Sequence, residues 1–387
     1  MKRRKVCVVI TARPSYSRIK SVLEAIRCAS GSLELQLVVA ASALLDRYGN
    51  TQNVIEKEGF RIDRRVYMIL EGENLVTSAK STGLGMAELA TVFDDLAPDV
   101  VITVADRFET LATAVAASYL NIPLVHIQGG EVTGSIDEKV RHAVTKLADV
   151  HMVATEAAAE RVIRMGERPD RVFNTGCPSI DVACSALENP DIELNAIFDT
   201  YGGVGECPDL SGGYIVALQH PVTTEYEASR AHVEETLHAV RDSGLPTFWF
   251  WPNVDAGSDG TSKGIRMFRE HHSLPNVHFF KNLPPEVFIR VLFNSRCVVG
   301  NSSVLIRECA FLGVPAVNVG SRQAGRDRGD NVVDVPYDRS AIMAALQRQL
   351  AHGRYEPDHL YGVGNAGERI AELLTKIPLQ VDKKLTY

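Results

Sequence analysis

The chain has 387 residues, more than one ordinary hydrophobic core supports, so two domains are expected. Hydrophobic residues at 45% and charged residues at 23% exclude a disordered, fibrous or membrane-spanning class. A formal net charge of -7 argues against nucleic acid or a membrane surface as partner, so an anionic ligand must be held by local groups.

The first residues, MKRRK then VCVVI, pair positive charge with an apolar run, but the run stops at Thr11 before Arg13 and Pro14. That is too short for a signal-peptide core and reads as a first buried strand. No later stretch reaches the roughly 18 apolar residues of a membrane span. Seven cysteines without paired spacing read as reduced thiols, which places the protein in the cytoplasm.

Short Val- and Ile-rich runs then alternate with segments of helical period, the pattern of parallel βαβ units. Strands are expected at 6–10, 35–40, 65–69, 100–104, 124–127, 151–154 and 172–175, with helices at 19–29, 84–96 and 137–147. Glycines and prolines gather before residue 213, and the alternation restarts with strands at 214–218, 247–251, 277–280, 297–299, 316–319 and 332–335. The fold class is therefore α/β, with two Rossmann-like doubly wound domains. Residues 1–185 form the first domain, 186–212 a linker and 213–387 the second, the last helix being free to pack back on the first.

Ligands of doubly wound sheets bind beyond the carboxyl ends of the strands, so the loops after each strand are where chemistry is sought. The first, from Thr11 to Arg18, offers Arg13 and hydroxyls near a helix start, a setting suited to an anion. No G-x-G-x-x-G follows this strand, and Gly83-Leu84-Gly85 lacks the third glycine, so no dinucleotide cofactor is expected. The fourth strand ends in Asp106-Arg107, a carboxylate beside a guanidinium. The fifth runs into Gln128-Gly129-Gly130-Glu131 and on to Asp137, where two glycines allow close backbone approach and Glu131 and Asp137 are candidate acid and base groups. Ser135 and Glu138 also have the spacing of a capping box.

In the second half, His220 follows a strand and can face a diphosphate, and Asn253 ends the next one. Gly300-Asn301-Ser302-Ser303 turns a buried strand into a hydroxyl-rich helix start that can cradle phosphate. Glu308, about one and a half turns into that helix, is placed to bond ribose hydroxyls, and Arg322 in the next post-strand loop adds a cation. No cluster has metal-ligand spacing, so no metal is expected.

At these residues the chain resembles the hydrolysing UDP-N-acetylglucosamine 2-epimerases, which release N-acetylmannosamine and UDP on the sialic acid and related nonulosonic acid routes. The resemblance runs from about Val6 to Val335 and is carried by Asp106-Arg107-Phe108, Gly129 to His142, Gln219 to Thr224, Asn253 to Ser258, Gly300 to Ser303 and Arg322 to Asn331. It implies a GT-B fold with the two domains facing a central cleft. It also implies nucleotide or substrate contacts from Arg13, Ser17, Arg107, Gln128, His220, Asn253, Ser302, Ser303, Glu308 and Arg322, acid and base work by Asp106 and Asp137 with Glu131 in support, and association as a homodimer or homotetramer. Where many members read His-Ile-Glu-Gly-Gly-Glu this chain has Gln128, an amide that cannot pass a proton as a carboxylate does. The reaction implied is loss of the carbon 2 proton with departure of the nucleoside diphosphate, then hydration with inversion at carbon 2. A glycosyltransferase with the same nucleotide site, and a non-catalytic nucleotide-sugar sensor, are the competing readings. The donor remains open among UDP-N-acetylglucosamine, a UDP-diacetamido-trideoxyhexose and a GDP analogue.

Overall fold

Strands buried on both faces need nearly continuous β-branched sequence. Such runs form the interior strands of the first part of the chain, with short, more exposed strands at the edges: β1 (Arg4–Ile10), β2 (Leu33–Ala40), β3 (Arg64–Val66), β4 (Val100–Val104), β5 (Leu124–Ile127), β6 (Val150–Val153) and β7 (Val172–Asn174). The computed structural model describes residues 3–72, 74–104, 107–133, 137–252 and 257–387. In it these strands form one sheet ordered β3-β2-β1-β4-β5-β6-β7, parallel throughout. The order reverses between β1 and β4, so the crevice beyond their carboxyl ends is this sheet's natural ligand position.

The helix Leu75–Leu96 starts nine residues before the expected one because Asn74 and Thr77 form a reciprocal capping box, with bonds of 3.0 and 3.1 Å. On the opposite side of the sheet the last helix, Ala366–Lys376, returns to this unit. Its Ile370 and Leu374 pack into the cluster that holds Val22, Leu23 and Ile26. The Asp181 carboxylate accepts the Ala366 and Gly367 amides at 3.0 and 2.7 Å and so caps this helix's amino end.

The second sheet contains β8 (Val204–Gly205), β9 (Ile215–Leu218), β10 (Thr247–Phe250), β11 (Val277–Phe280), β12 (Cys297–Gly300), β13 (Ala316–Val319) and β14 (Val332–Val335). Its order is β14-β13-β12-β9-β10-β11-β8, parallel except for β8, which lies antiparallel on β11. Here the order reverses between β9 and β12. Residues 186–212, expected as a linker, instead hold the helix Leu194–Tyr201 as well as β8. Phe198 from that helix meets the rings of Phe248 at 5.4 Å and Phe280 at 6.0 Å, so apolar packing fixes a stretch whose composition suggests a loop.

Contacts divide the chain into one unit of Met1–Glu131, Ile136–Val182 and Tyr361–Tyr387, and another of Val132–Ser135 and Ala183–Leu360. Among the described residues no helix is long and apolar enough to cross a membrane.

Candidate active site

In the first unit the chain leaves β1 through Ala12 into a short helix, Arg13–Ser17. Burial pushes the Arg13 guanidinium down to about 10, which leaves it charged at neutral pH in poorly hydrated surroundings, a setting that strengthens its pull on an anion. The Ser17 hydroxyl donates to the Arg13 carbonyl at 3.4 Å. Beyond β4, Asp106 lies outside the described residues. Arg107 opens the helix Phe108–Tyr119, and its Nε and Nη2 reach the two carboxylate oxygens of buried Glu109 at 3.2 and 3.3 Å. Glu109, which sequence reading passed over, thus fixes the plane of a strand-end guanidinium.

The loop after β5 is shaped by close approach. Gln128 has φ +64, a left-handed conformation uncommon outside glycine. Its amide N–H donates to the Met152 carbonyl at 3.0 Å, and its side-chain Nε2 donates to Cys177 Sγ at 2.8 Å. Cys177 Sγ lies 3.0 Å from Ser179 Oγ. Gly130 has φ +74, and a Cβ there would stand 2.3 Å from the Ala158 carbonyl oxygen, so no larger residue fits without displacement. This turn delivers Glu131 to the strand end with 3% of its surface exposed. Its carbonyl accepts from Arg141 Nη1 at 2.9 Å, and the same nitrogen reaches Glu138 Oε2 at 2.9 Å. Buried Arg141, a residue that sequence reading missed, therefore ties the Glu131 turn to the first turn of the helix Asp137–Leu147, where Asp137 sits half-buried. Glu138 Oε1 is 2.9 Å from His142 Nε2, while Ser135, its expected capping partner, lies outside the described residues.

In the second unit, His220 follows β9 and the Asn301-Ser302-Ser303 segment follows β12, the two strands that flank the reversal of order. His220 donates its backbone N–H to Asn301 Oδ1 at 2.7 Å, and its carbonyl accepts from Asn301 Nδ2 at 2.8 Å. Gly300 has φ +138, and a Cβ there would fall 2.1 Å from the Leu218 carbonyl oxygen. Ser302 Oγ accepts from the Val304 amide at 3.4 Å, and Ser303 Oγ accepts from buried Arg307 at 2.7 Å. Arg322 Nη1 and Gln323 Nε2 both donate to the Asn301 carbonyl, at 3.3 and 2.8 Å. Asn253 lies outside the described residues.

One expectation is corrected. The segment after Gly300 is not a continuous helix but a 3₁₀ turn, Ser303–Leu305, followed by a separate four-residue helix, Glu308–Phe311. Arg307, the residue before the second helix, bends its guanidinium back to Ser303 where the run is interrupted. Glu308 therefore begins its helix, and a macrodipole summed over so few peptides is small.

The family model described as UDP-N-acetylglucosamine 2-epimerase matches residues 26–375 of this chain. The chain belongs to that family. The epimerase is 35% identical to the UDP-N,N'-diacetylbacillosamine 2-epimerase (hydrolyzing) of Legionella pneumophila, over 97% of each chain. It is 28% identical to the GDP/UDP-N,N'-diacetylbacillosamine 2-epimerase (hydrolyzing) of Campylobacter jejuni, over 86% of this chain and 85% of that one. In fold, the epimerase matches the crystal structure of UDP-GlcNAc 2-epimerase from Neisseria meningitidis bound to UDP-GlcNAc with a TM-score of 0.79, at 18% identity and over 96% of this chain and 100% of that one. Membership makes this chain a nucleotide-sugar 2-epimerase, with two Rossmann-like sheets as its scaffold.

Proposed function

We propose that the protein is a hydrolysing 2-epimerase of a UDP-activated 2-acetamido sugar. The C2–H bond and the C1–O bond to the diphosphate break, UDP leaves with the electron pair of the latter, and a glycal remains. Water then returns its hydroxyl to carbon 1 and a proton to the opposite face of carbon 2, so that free sugar of inverted configuration is released. The reading is supported above all by the Gly129-Gly130-Glu131 turn, which seats a buried carboxylate at a parallel-strand end and is tied by Arg141 to the Asp137 helix.

In this proposal Asp106, Asp137 and Glu131 share the acid and base work, and Gln128 positions the sugar, since its amide donates to Cys177 and neither takes up nor releases a proton at neutral pH. Arg13, Ser17 and Arg107 serve the diphosphate from the first unit. His220, Asn253, Ser302, Ser303, Glu308 and Arg322 serve the nucleotide from the second. Charge developing on the departing diphosphate is met by cations and backbone amides without a metal or other cofactor. Identity of 35% to the Legionella protein favours UDP-N,N'-diacetylbacillosamine as the donor, ahead of UDP-N-acetylglucosamine and a GDP analogue. The working form is a cytoplasmic homodimer or homotetramer, which light scattering checks.

Incubation of the protein with each donor in heavy water tests the reading. Mass spectrometry should find nucleoside diphosphate and free inverted sugar carrying one deuterium at carbon 2. Sugar released with its original hydrogen refutes the elimination, and a nucleotide sugar inverted but still intact refutes the hydrolysis.

A further inference from the structure

We infer that Asn301 is the positioning residue of the anion cradle in the second unit, holding the His220 loop through its side chain and the Arg322 loop through its carbonyl. The inference rests on the reading that this unit binds the nucleoside diphosphate. Strands β9 and β12 pair in parallel as far as Leu218 and Gly300, and the Asn301 amide still donates to the Leu218 carbonyl at 3.0 Å. Past that point the two chains must diverge for their loops to open toward a ligand. The Asn301 side chain substitutes for the missing ladder rung: its carboxamide presents one acceptor and one donor, like a peptide group, and pairs with both backbone groups of His220 at 2.7 and 2.8 Å. The amide orientation follows from chemistry, because a flipped group would set carbonyl against carbonyl and N–H against N–H.

With the side chain so engaged, the Asn301 carbonyl accepts from Arg322 at 3.3 Å and Gln323 at 2.8 Å, both from the loop after β13. That loop is tied back in turn, since Ser321 Oγ donates to Glu225 Oε1 at 2.6 Å, and Glu225 belongs to the segment that follows His220. Three post-strand loops are thereby closed into one ring of hydrogen bonds with Asn301, wholly buried, as the shared member. A ring of this kind fixes the donors before an anion arrives, so little ordering entropy is lost on binding. Asparagine is the residue type required, because aspartate lacks the donor and glutamine, one methylene longer, overruns the rung.

The experiment measures UDP binding by calorimetry on the full chain, with thermal melts of each variant. Asn301→Asp keeps the volume and the acceptor for the His220 amide but sets an oxygen against the His220 carbonyl. The UDP Kd is expected to rise about tenfold or more, as loss of a buried donor implies. Gln323→Met, which removes one donor to the Asn301 carbonyl, should raise it about threefold. In Asn301→Asp/Arg322→Ala the losses should fall short of additive, because one change disables what the other positions. A folded Asn301→Asp protein with the parent's Kd, or additive losses in the double variant, overturns the inference. If Asn301→Asp does not fold, Gln323→Met decides: an unchanged Kd overturns the proposal and a threefold rise supports it. Failure of the parent to bind UDP overturns the nucleotide assignment itself, a result separate from any of these.

Discussion

Replacing Glu167 with Gln should weaken the first unit in a pH-dependent way. Glu167 is buried near the amino-terminal end of β6, where Lys146 and Lys383 reach it at 2.6 Å and His151 Nε2 at 3.0 Å. Burial alone would raise its carboxyl, but the hydrogen bonds from His151, Lys146 and Lys383 outweigh it and carry the group from 4.5 down to about 2. At about 1.4 kcal/mol for each tenfold change in proton affinity, that is about 3 kcal/mol at neutral pH. Solvent at the two lysines, whose side chains are 38% and 24% exposed, lowers it to about 2 kcal/mol. The folded carboxyl lies below its unfolded value, so its contribution is complete above about pH 4.5 and is lost as pH falls toward 2. His151, lowered by burial, is also disfavoured by acid; ionised Glu167 holds it up in the parent alone, so its share of the gap also closes as Glu167 is protonated. Calorimetric melts at neutral pH should place Glu167→Gln about 4–8 °C below the parent for the transition that carries this unit. The gap should close between pH 4.5 and 2. A gap that stays constant over that range refutes the reasoning, since it would reflect lost packing and not lost charge.

Other outcomes follow from the strand ends. Gly300→Ala sets a Cβ against the Leu218 carbonyl at φ +138 and should cost more than about 1–3 kcal/mol, seen as a lowered melting temperature of the second unit and loss of UDP binding. Arg322→Ala and Ser302→Ala should raise the UDP Kd while leaving the melt within a few degrees of the parent. Turnover should proceed in EDTA at the rate seen without it, as the proposed cation set requires. Asp137→Asn should lose at least the roughly hundredfold typical of a removed acid or base in kcat/KM, and Gln128→Ala clearly less. Equal losses in the last two, with both proteins folded, would refute the division of roles.

The two sheets were legible because parallel strands leave short, mostly apolar runs, and β4, β5, β11, β13 and β14 end where those runs end. Elements set by other forces were harder to read. The two-residue β8 has no periodicity, and its place is fixed by Gly203 and Gly205, whose positive φ lets them lie against His278 and Val277. The first half of the helix Leu75–Leu96 carries Gly83 and Gly85, poor helix formers, and the capping box at Asn74 outweighs them. At the strand ends the loops themselves could be located, because topology places them there whatever they contain. The buried partners could not: Glu109, Arg141 and Gln323 read as ordinary surface residues until the tertiary structure removes water from them. Asn301 was visible as part of a turn whose sequence suits phosphate, but its bond to a loop 81 residues earlier has no local trace.

Gln128 shows most plainly how the meaning of a residue changes between sequence and structure. In the sequence it is a missing carboxylate. In the folded chain its side chain is a donor, because Cys177 Sγ at 2.8 Å serves as a weak acceptor that an ionised glutamate could not address. The left-handed backbone at Gln128 and the tight approach of Gly130 to Ala158 hold this amide in place, so its orientation is set by the same turn that delivers Glu131. A glutamate at 128 would need either a proton of its own or a thiol turned to donate, and Cys177 has Ser179 Oγ at 3.0 Å competing for that hydrogen. The amide and the thiol are thus matched to each other, and under the proposed mechanism proton transfer falls to the carboxylates on either side of this turn.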